Sequence, residues 1–352
     1  MGDTPTVSPT GRPVRRRHRR GRSSAARSTI RGIVIAITKF IFRRVLLGVA
    51  TLFVVSVLVF VLTNLLGDPI QRILGREALP DVVAAKRAEF GLDRPATTRY
   101  VDWVTGMLSG DPGSSYSNNV PVLDVLGDRI RNSLFLMVAA SVISIPLSIV
   151  IGGYIALRRD GWLDRVVSTK LLVLASMPEF VVGALLILLL GTTVWNVFPA
   201  VVRIRPGEPP WSDLDGLVLP VLTLTLAVTP HVARTMRAAM IEVLESDYIE
   251  MARLSGLSER SVLWRHAFPN ALGPTIQVIA LNVAYLAAGV VIVESLFNFP
   301  GLGIALRDAI PQANAPVVQF IAMFIAMIYV VTNLIADVIT ILVTPRLRTG
   351  LR

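Results

Sequence analysis

The sequence predicts an all-α, polytopic membrane protein with about six transmembrane helices. Three observations carry that prediction. Hydrophobic residues make up 53% of the 352 positions and charged residues 17%, against roughly 25% charged in soluble domains. The apolar residues gather into runs long enough to cross about 30 Å of hydrocarbon. Those runs lack the period-two alternation of a barrel, and only helices or closed barrels satisfy every backbone polar group in lipid.

The elements follow in order. Residues 1–40 form a basic tail, of which 4–28 reads as disordered by its Pro, Ser and Arg content. The first transmembrane helix is expected at 41–66, and its apolar run is too long for a signal-peptide core. Segment 67–132 lies outside the membrane. Residues 133–352 make a five-helix core with spans near 133–157, 171–199 (interrupted at Pro178-Glu179), 216–233, 275–293 and 315–344. A polar insert at 238–272 separates the fourth span from the fifth.

Charge placement orients the chain. The net charge of +11 comes largely from Arg12, Arg15, Arg16, Arg17, Arg19, Arg20, Arg22, Arg27, Arg31, Lys39, Arg43 and Arg44, all ahead of the first span. A basic tail beside a membrane reads as a cytoplasmic anchor on anionic headgroups. Nucleic-acid binding is disfavoured, since no aromatic stacking platform accompanies the arginines. With the N-terminus inside, Arg158, Arg159, Arg165 and Lys170 fall in a cytoplasmic loop, together with the polar insert. Arg346, Arg348 and Arg352 return to the same side. There are no cysteines, which excludes disulfides and thiolate metal sites.

The insert is the most informative stretch. Met240, Val243, Leu244, Tyr248 and Met251 continue an apolar helix stripe, with Glu242, Glu245, Glu250 and Arg253 off it. Gly256 suits a helix C-terminus. Ser258 suits the cap of a second short helix running to Phe268, with Pro269 closing it. Two short helices about a glycine elbow, held between spans, make a docking element. An ordinary amphipathic loop is the competing reading.

Glu250-Met251-Ala252, followed by Gly256, resembles the "EAA…G" loop of permeases in ATP-driven importers. The wider string of Asp247, Tyr248, Ala252, Arg253, Gly256, Leu257, Ser258, Arg260, Val262, Leu263, Arg265, His266, Ala267, Asn270, Ala271 and Leu272 is similar to the dipeptide/oligopeptide (and nickel) permease family. Ser255 departs from the lysine expected there. The resemblance runs from about Phe40 to Arg348 and extends to Gly67-Asp68-Pro69 (with Leu66 for the first proline of "PGDP"). It includes Phe90-Gly91-Leu92-Asp93-Arg94-Pro95, Leu108-Ser109-Gly110-Asp111, and Glu294, Phe297, Pro300, Gly301, Leu302 and Gly303 of an "ExxFxxPGLG" signature. Asn333, Leu334, Asp337 and the Pro345-Arg346 tail, with Thr344 for aspartate, complete it.

That resemblance implies a type I ABC importer permease in a bacterial inner membrane, both termini cytoplasmic, carrying di- or oligopeptides by alternating access. The implied ATPase-coupling residues are Asp247, Tyr248, Glu250, Ala252, Arg253, Gly256, Leu257, Arg260, Arg265 and His266. Implied partners are a second, related permease, two cytosolic ATP-binding subunits and an external substrate-binding protein. No phosphate-binding glycine-lysine motif occurs, since none of Lys39, Lys86 and Lys170 follows glycine. No HExxH or GxSxG occurs either. ATP and Mg are therefore expected in the partner subunits, with no cofactor in this chain.

Glu179, Glu294 and Asp337 lie in or beside apolar runs, where an ionised group is costly unless paired or hydrated. They line a pathway, pairing with Arg234 or Arg237, or they anchor helix ends. The turn signal at Asn298, Pro300 and Gly301 weighs towards anchoring for Glu294; for Glu179, beside Pro178, the readings balance. Pro146, Pro220 and Pro230 read as kinks, Gly152-Gly153 as a close helix approach, and His231 as an interhelical donor. The 67–132 segment, with helical patterning at 84–90 and 100–108 and a loop at 110–119, is an external cap that receives the binding protein or merely covers span ends. An ion-gradient-driven transporter is the alternative from another class. It is motivated by the intramembrane carboxylates and gives no reason for the insert.

Overall fold

Each apolar run becomes a helix because lipid offers its backbone no other partner. The computed structural model describes residues 20–65, 67–75 and 79–343, with side chains described within 38–340. In order these are α1 (Arg20–Asn64), α2 (Pro69–Leu74), α3 (Pro80–Glu89), α4 (Ala96–Ser109), α5 (Val122–Leu157), α6 (Trp162–Ala175), α7 (Glu179–Leu186), α8 (Leu214–Leu244), α9 (Asp247–Leu254), α10 (Glu259–Ser261), α11 (Phe268–Phe297), α12 (Leu302–Ala309) and α13 (Ala315–Val343). Among the described residues five helical stretches are long and apolar enough to span a membrane, and α6 and α7 pass the same test only as a pair, bent by 106°, the geometry of a broken span or a re-entrant loop. Pro178 sits at that break: it cannot donate a helical hydrogen bond, and its own ψ of 144° is extended rather than helical.

Several expectations are corrected. Residues 20–28, expected to be without regular structure, belong to α1; residues 1–19 lie outside the described part, as do Leu66 and 344–352 with their arginines. Arg165 and Lys170 sit within α6 rather than in a loop, leaving only Arg158–Gly161 as the connection. Within that helix the Asp164 carboxylate takes two hydrogen bonds from the Arg237 guanidinium of α8, at 2.7 and 2.6 Å. Pro269 does not end a helix. The chain runs helically from Glu259 to Phe297, because a π-helical turn at Val262–Ala267 shifts the hydrogen-bond register just ahead of the proline.

Helix α8 is the axis of the bundle and the most enclosed span. It packs along α5, where Gly152 lies so close that a Cβ would strike the Ala233 carbonyl and Met236. Gly153 faces open space and takes no part in that approach. Pro220 and Pro230 lie inside the continuous α8, and Pro146 inside α5. The central core joins Leu136, Leu219, Leu224, Val228, Leu286, Val293 and Phe297 from α5, α8 and α11. By contrast α1 exposes Leu46, Phe53 and Leu62, an apolar surface suited to lipid. It is held to α13 by the Arg44–Asp337 ion pair at 3.0 Å.

At one end of the bundle, α2–α4 form a small cap against α1 and α13. Tyr100 bonds Ser56 at 2.8 Å, and Asn314 donates to Ser115 at 2.8 Å. The other end carries the 158–161 connection and the α8–α11 insert, joined by an ion pair between Arg159 and Glu245.

Candidate functional site

The insert folds as two limbs about a sharp elbow. Helix α8 stops at Leu244, and Ser246, in extended backbone, starts α9. Restarting the helix resets its register, so the predicted stripe does not continue. Ile249 and Ala252 turn inward, while Tyr248 and Met251 face out. Gly256 follows the end of α9 with φ +80°, the left-handed conformation glycine adopts without a Cβ penalty. The Ser258 hydroxyl caps α10 by accepting from the Ser261 N–H at 3.4 Å.

Three interactions fix the two limbs together. Arg253 on α9 pairs with Glu259 on α10 at 2.9 Å. The Tyr248 hydroxyl is hydrogen bonded to His266 Nδ1. Beneath them Ile249, Ala252, Val262 and Ala267 join Met236, Met240, Ala156 and Ala271 in one buried cluster. The insert is thus welded to the ends of α5, α8 and α11. Several of its apolar side chains are exposed: Met251 is 62% exposed, Leu254 75% and Trp264 64%, and Tyr248 and Leu257 are exposed too. Asp247, Glu250, Arg260 and Arg265 are exposed as well. The outward positions of Met251, Leu254 and Trp264 were not read from the sequence. The spacing of 251 and 254 on α9 was the available signal, obscured by the assumed continuous stripe.

The membrane carboxylates are dispersed. Glu179, at the start of α7, accepts a hydrogen bond from the Tyr285 hydroxyl at 2.6 Å; it pairs with neither Arg234 nor Arg237. Glu294 is fully buried. It accepts from the Ser133 hydroxyl at 2.5 Å and from the Gly303 N–H at 2.6 Å. Ser133 in turn accepts from the Leu302 N–H at 2.8 Å, and Asn132 donates to the Pro300 carbonyl at 2.9 Å. Gly301 and Gly303 leave no room for a Cβ beside Glu294 and Val291. The ExxFxxPGLG stretch is therefore a structural corner tying α11 and α12 to α5.

A groove of about 960 Å³ opens along the bundle, lined by Ser168 and Leu172 of α6, His231, Arg234 and Arg237 of α8, and Asn282 and Tyr285 of α11. Arg237 is tied to Asp164, while Arg234 forms no ion pair with a described residue. Among the described residues no group of acidic, histidine or cysteine side chains could hold a metal ion.

A family model described as the binding-protein-dependent transport system inner membrane component matches residues 144–349, across the insert and the corner. The chain belongs to this family. The model for the family's N-terminal membrane segment matches residues 37–137, through α1 and the cap. The "probable peptide ABC transporter permease protein y4tP" of Sinorhizobium fredii is 34% identical over 311 residues, covering 88% of this chain and 99% of that relative. The glutathione transport system permease protein GsiC of Salmonella choleraesuis is 33% identical over the same share of this chain and 98% of its own. The chain is thus an oligopeptide-type ABC permease, a multi-pass membrane transport subunit.

Proposed function

We propose that this permease moves di- or oligopeptides across a bacterial inner membrane by alternating access, driven by ATP hydrolysis in two cytosolic partner subunits that hold ATP and Mg. The observation that carries the coupling is the EAA loop itself. It exposes the apolar side chains of Met251, Leu254 and Trp264 on short helices, the kind of helical knob a groove accepts. Its inner face is continuous with the core of α5, α8 and α11. A push on those exposed side chains therefore moves spans rather than a loose loop. Asp247, Glu250, Arg260 and Arg265 supply the charge of the contact, and Arg253, Gly256, Tyr248 and His266 hold its shape.

The groove beside α8 forms one wall of the pathway, with Arg234 available to a peptide carboxylate. A second, related permease supplies the opposite wall. The cap helices receive an external substrate-binding protein. Both chain ends and the EAA loop then lie in the cytoplasm, in keeping with the arginine-rich first forty residues. The carboxylates that suggested an ion-driven transporter all have structural partners in Tyr285, Ser133 and Arg44.

Affinity co-purification from the native membrane tests this reading. Wild type should bring an ATPase pair and a second permease. Leu254→Glu with Trp264→Glu, both on exposed positions, should lose the ATPases and keep the permease partner. Transport by the chain alone in vesicles lacking ATP would overturn the proposal.

A further inference from the structure

Helix α1 runs for 45 residues without an acidic side chain, and its two sides meet different surroundings. Arg44 and Gly48, one turn apart, face α13. Arg44 pairs with Asp337 at 3.0 Å, and a Cβ on Gly48 would strike the Val330 side chain. Lys39, Arg43, Leu46, Val49 and Phe53 follow one another at steps of three or four residues, which places them on one stripe turned away from that contact. All five are exposed.

The stripe is divided by chemistry. Lys39 and Arg43 form no ion pair with a described residue, whereas Arg44 beside them is committed to Asp337 and lies 5.3 Å from the Phe40 ring centre. Beyond Arg43 the stripe is apolar through Phe53. From Arg43 to Phe53 the helix rises about 15 Å, half the thickness of a hydrocarbon core of about 30 Å. Two free cations thus sit where a leaflet-deep apolar surface begins, at the level of the headgroups. A zwitterionic headgroup would bring its own cation to the pair, and a small soluble anion would leave the apolar part unused. An anionic phospholipid satisfies both parts.

We propose that this stripe binds one anionic phospholipid, its phosphate held by Lys39 and Arg43 and an acyl chain lying along Leu46, Val49 and Phe53. Bound there, the lipid holds the span from the side opposite α13. The site is built from residues of α1 alone and rests on neither the cargo nor the ATPases.

Native mass spectrometry of the full chain released from detergent micelles tests this with phosphatidylglycerol, phosphatidylcholine and glycerol 3-phosphate, which has the phosphate without acyl chains. Phosphatidylglycerol should bind as a single adduct, at least about tenfold tighter than phosphatidylcholine, and glycerol 3-phosphate should not displace it. Lys39→Gln and Arg43→Gln should each weaken it about fivefold, and about 25-fold together. Arg43→Lys keeps the charge and should retain the lipid. Arg27→Gln with Arg31→Gln, earlier on the same helix, should leave binding unchanged. Equal binding of the two lipids, displacement by glycerol 3-phosphate, retention by the Lys39 and Arg43 double variant, or loss in the Arg27 and Arg31 variant would each overturn the proposal.

Discussion

Single atoms decide how closely the spans of this permease approach. Gly152 and Gly153 are adjacent in sequence yet opposite in consequence, since a Cβ meets the Ala233 carbonyl at the first and nothing at the second. Gly152→Ala should cost about 1–3 kcal/mol by overpacking. Gly153→Ala should be neutral or slightly stabilising through helix propensity. Thermal unfolding in detergent compares the two; equal melting temperatures would contradict the α5–α8 packing described. Glu294 offers a second contrast. Glu294→Ala leaves the Ser133 hydroxyl and the Gly303 N–H without their buried acceptor, at about 1–3 kcal/mol for each orphaned group. A melting temperature unchanged by that substitution would refute the corner's structural role. Sequence marked Glu294 as important through its motif, but its partner Ser133 comes from α5, far away in the chain.

At the scale of elements, the insert between α8 and α11 is stiff, its two limbs tied by Arg253–Glu259 and Tyr248–His266. Gly256 has φ +80° with open space around its Cβ position, so Gly256→Ala should cost about 1 kcal/mol of backbone strain without a clash. The loop should fold, and ATPase recovery on co-purification should fall only modestly. Complete loss would show that the glycine is itself a contact. Asp164→Asn should loosen α6 from α8, because the 4% exposed Asp164 side chain accepts both guanidinium bonds of Arg237. The expected loss is about 1–3 kcal/mol, discounted for the partial exposure of Arg237. Proteolysis at the 158–161 connection should accelerate accordingly, and an unaltered digestion rate would count against it. The elbow's existence was legible, since glycine and serine sit where a stop and a cap are needed. Its inward face was not: α8 ends before α9 begins, and a periodic pattern read across that break assigns the wrong residues to the core.

For the whole molecule, the two ends of the bundle should face opposite sides of the membrane. The chain contains no cysteine, so single substitutions at exposed positions report sidedness without background. Asp160→Cys and Ser255→Cys should react with a membrane-impermeant maleimide only in inverted vesicles, and Asn118→Cys only from outside intact cells. Labelling of position 255 from outside would overturn the proposed orientation, and with it the placing of the ATPases.

The sequence by itself determined the helical membrane class and the family, because hydropathy, turn residues and motifs are local properties of the chain. Lipid also permits so few backbone solutions that a long apolar run is nearly a structure already. Only the tertiary structure decided which charges meet. Glu179 could have faced Arg234 or Arg237, but Tyr285 is the side chain the bundle brings to it, and Arg237 is taken by Asp164. Continuity through Pro269 was decided there too, by a π-helical turn that local signals do not announce. Pairing depends on helix rotation and register, which follow from packing the whole bundle at once.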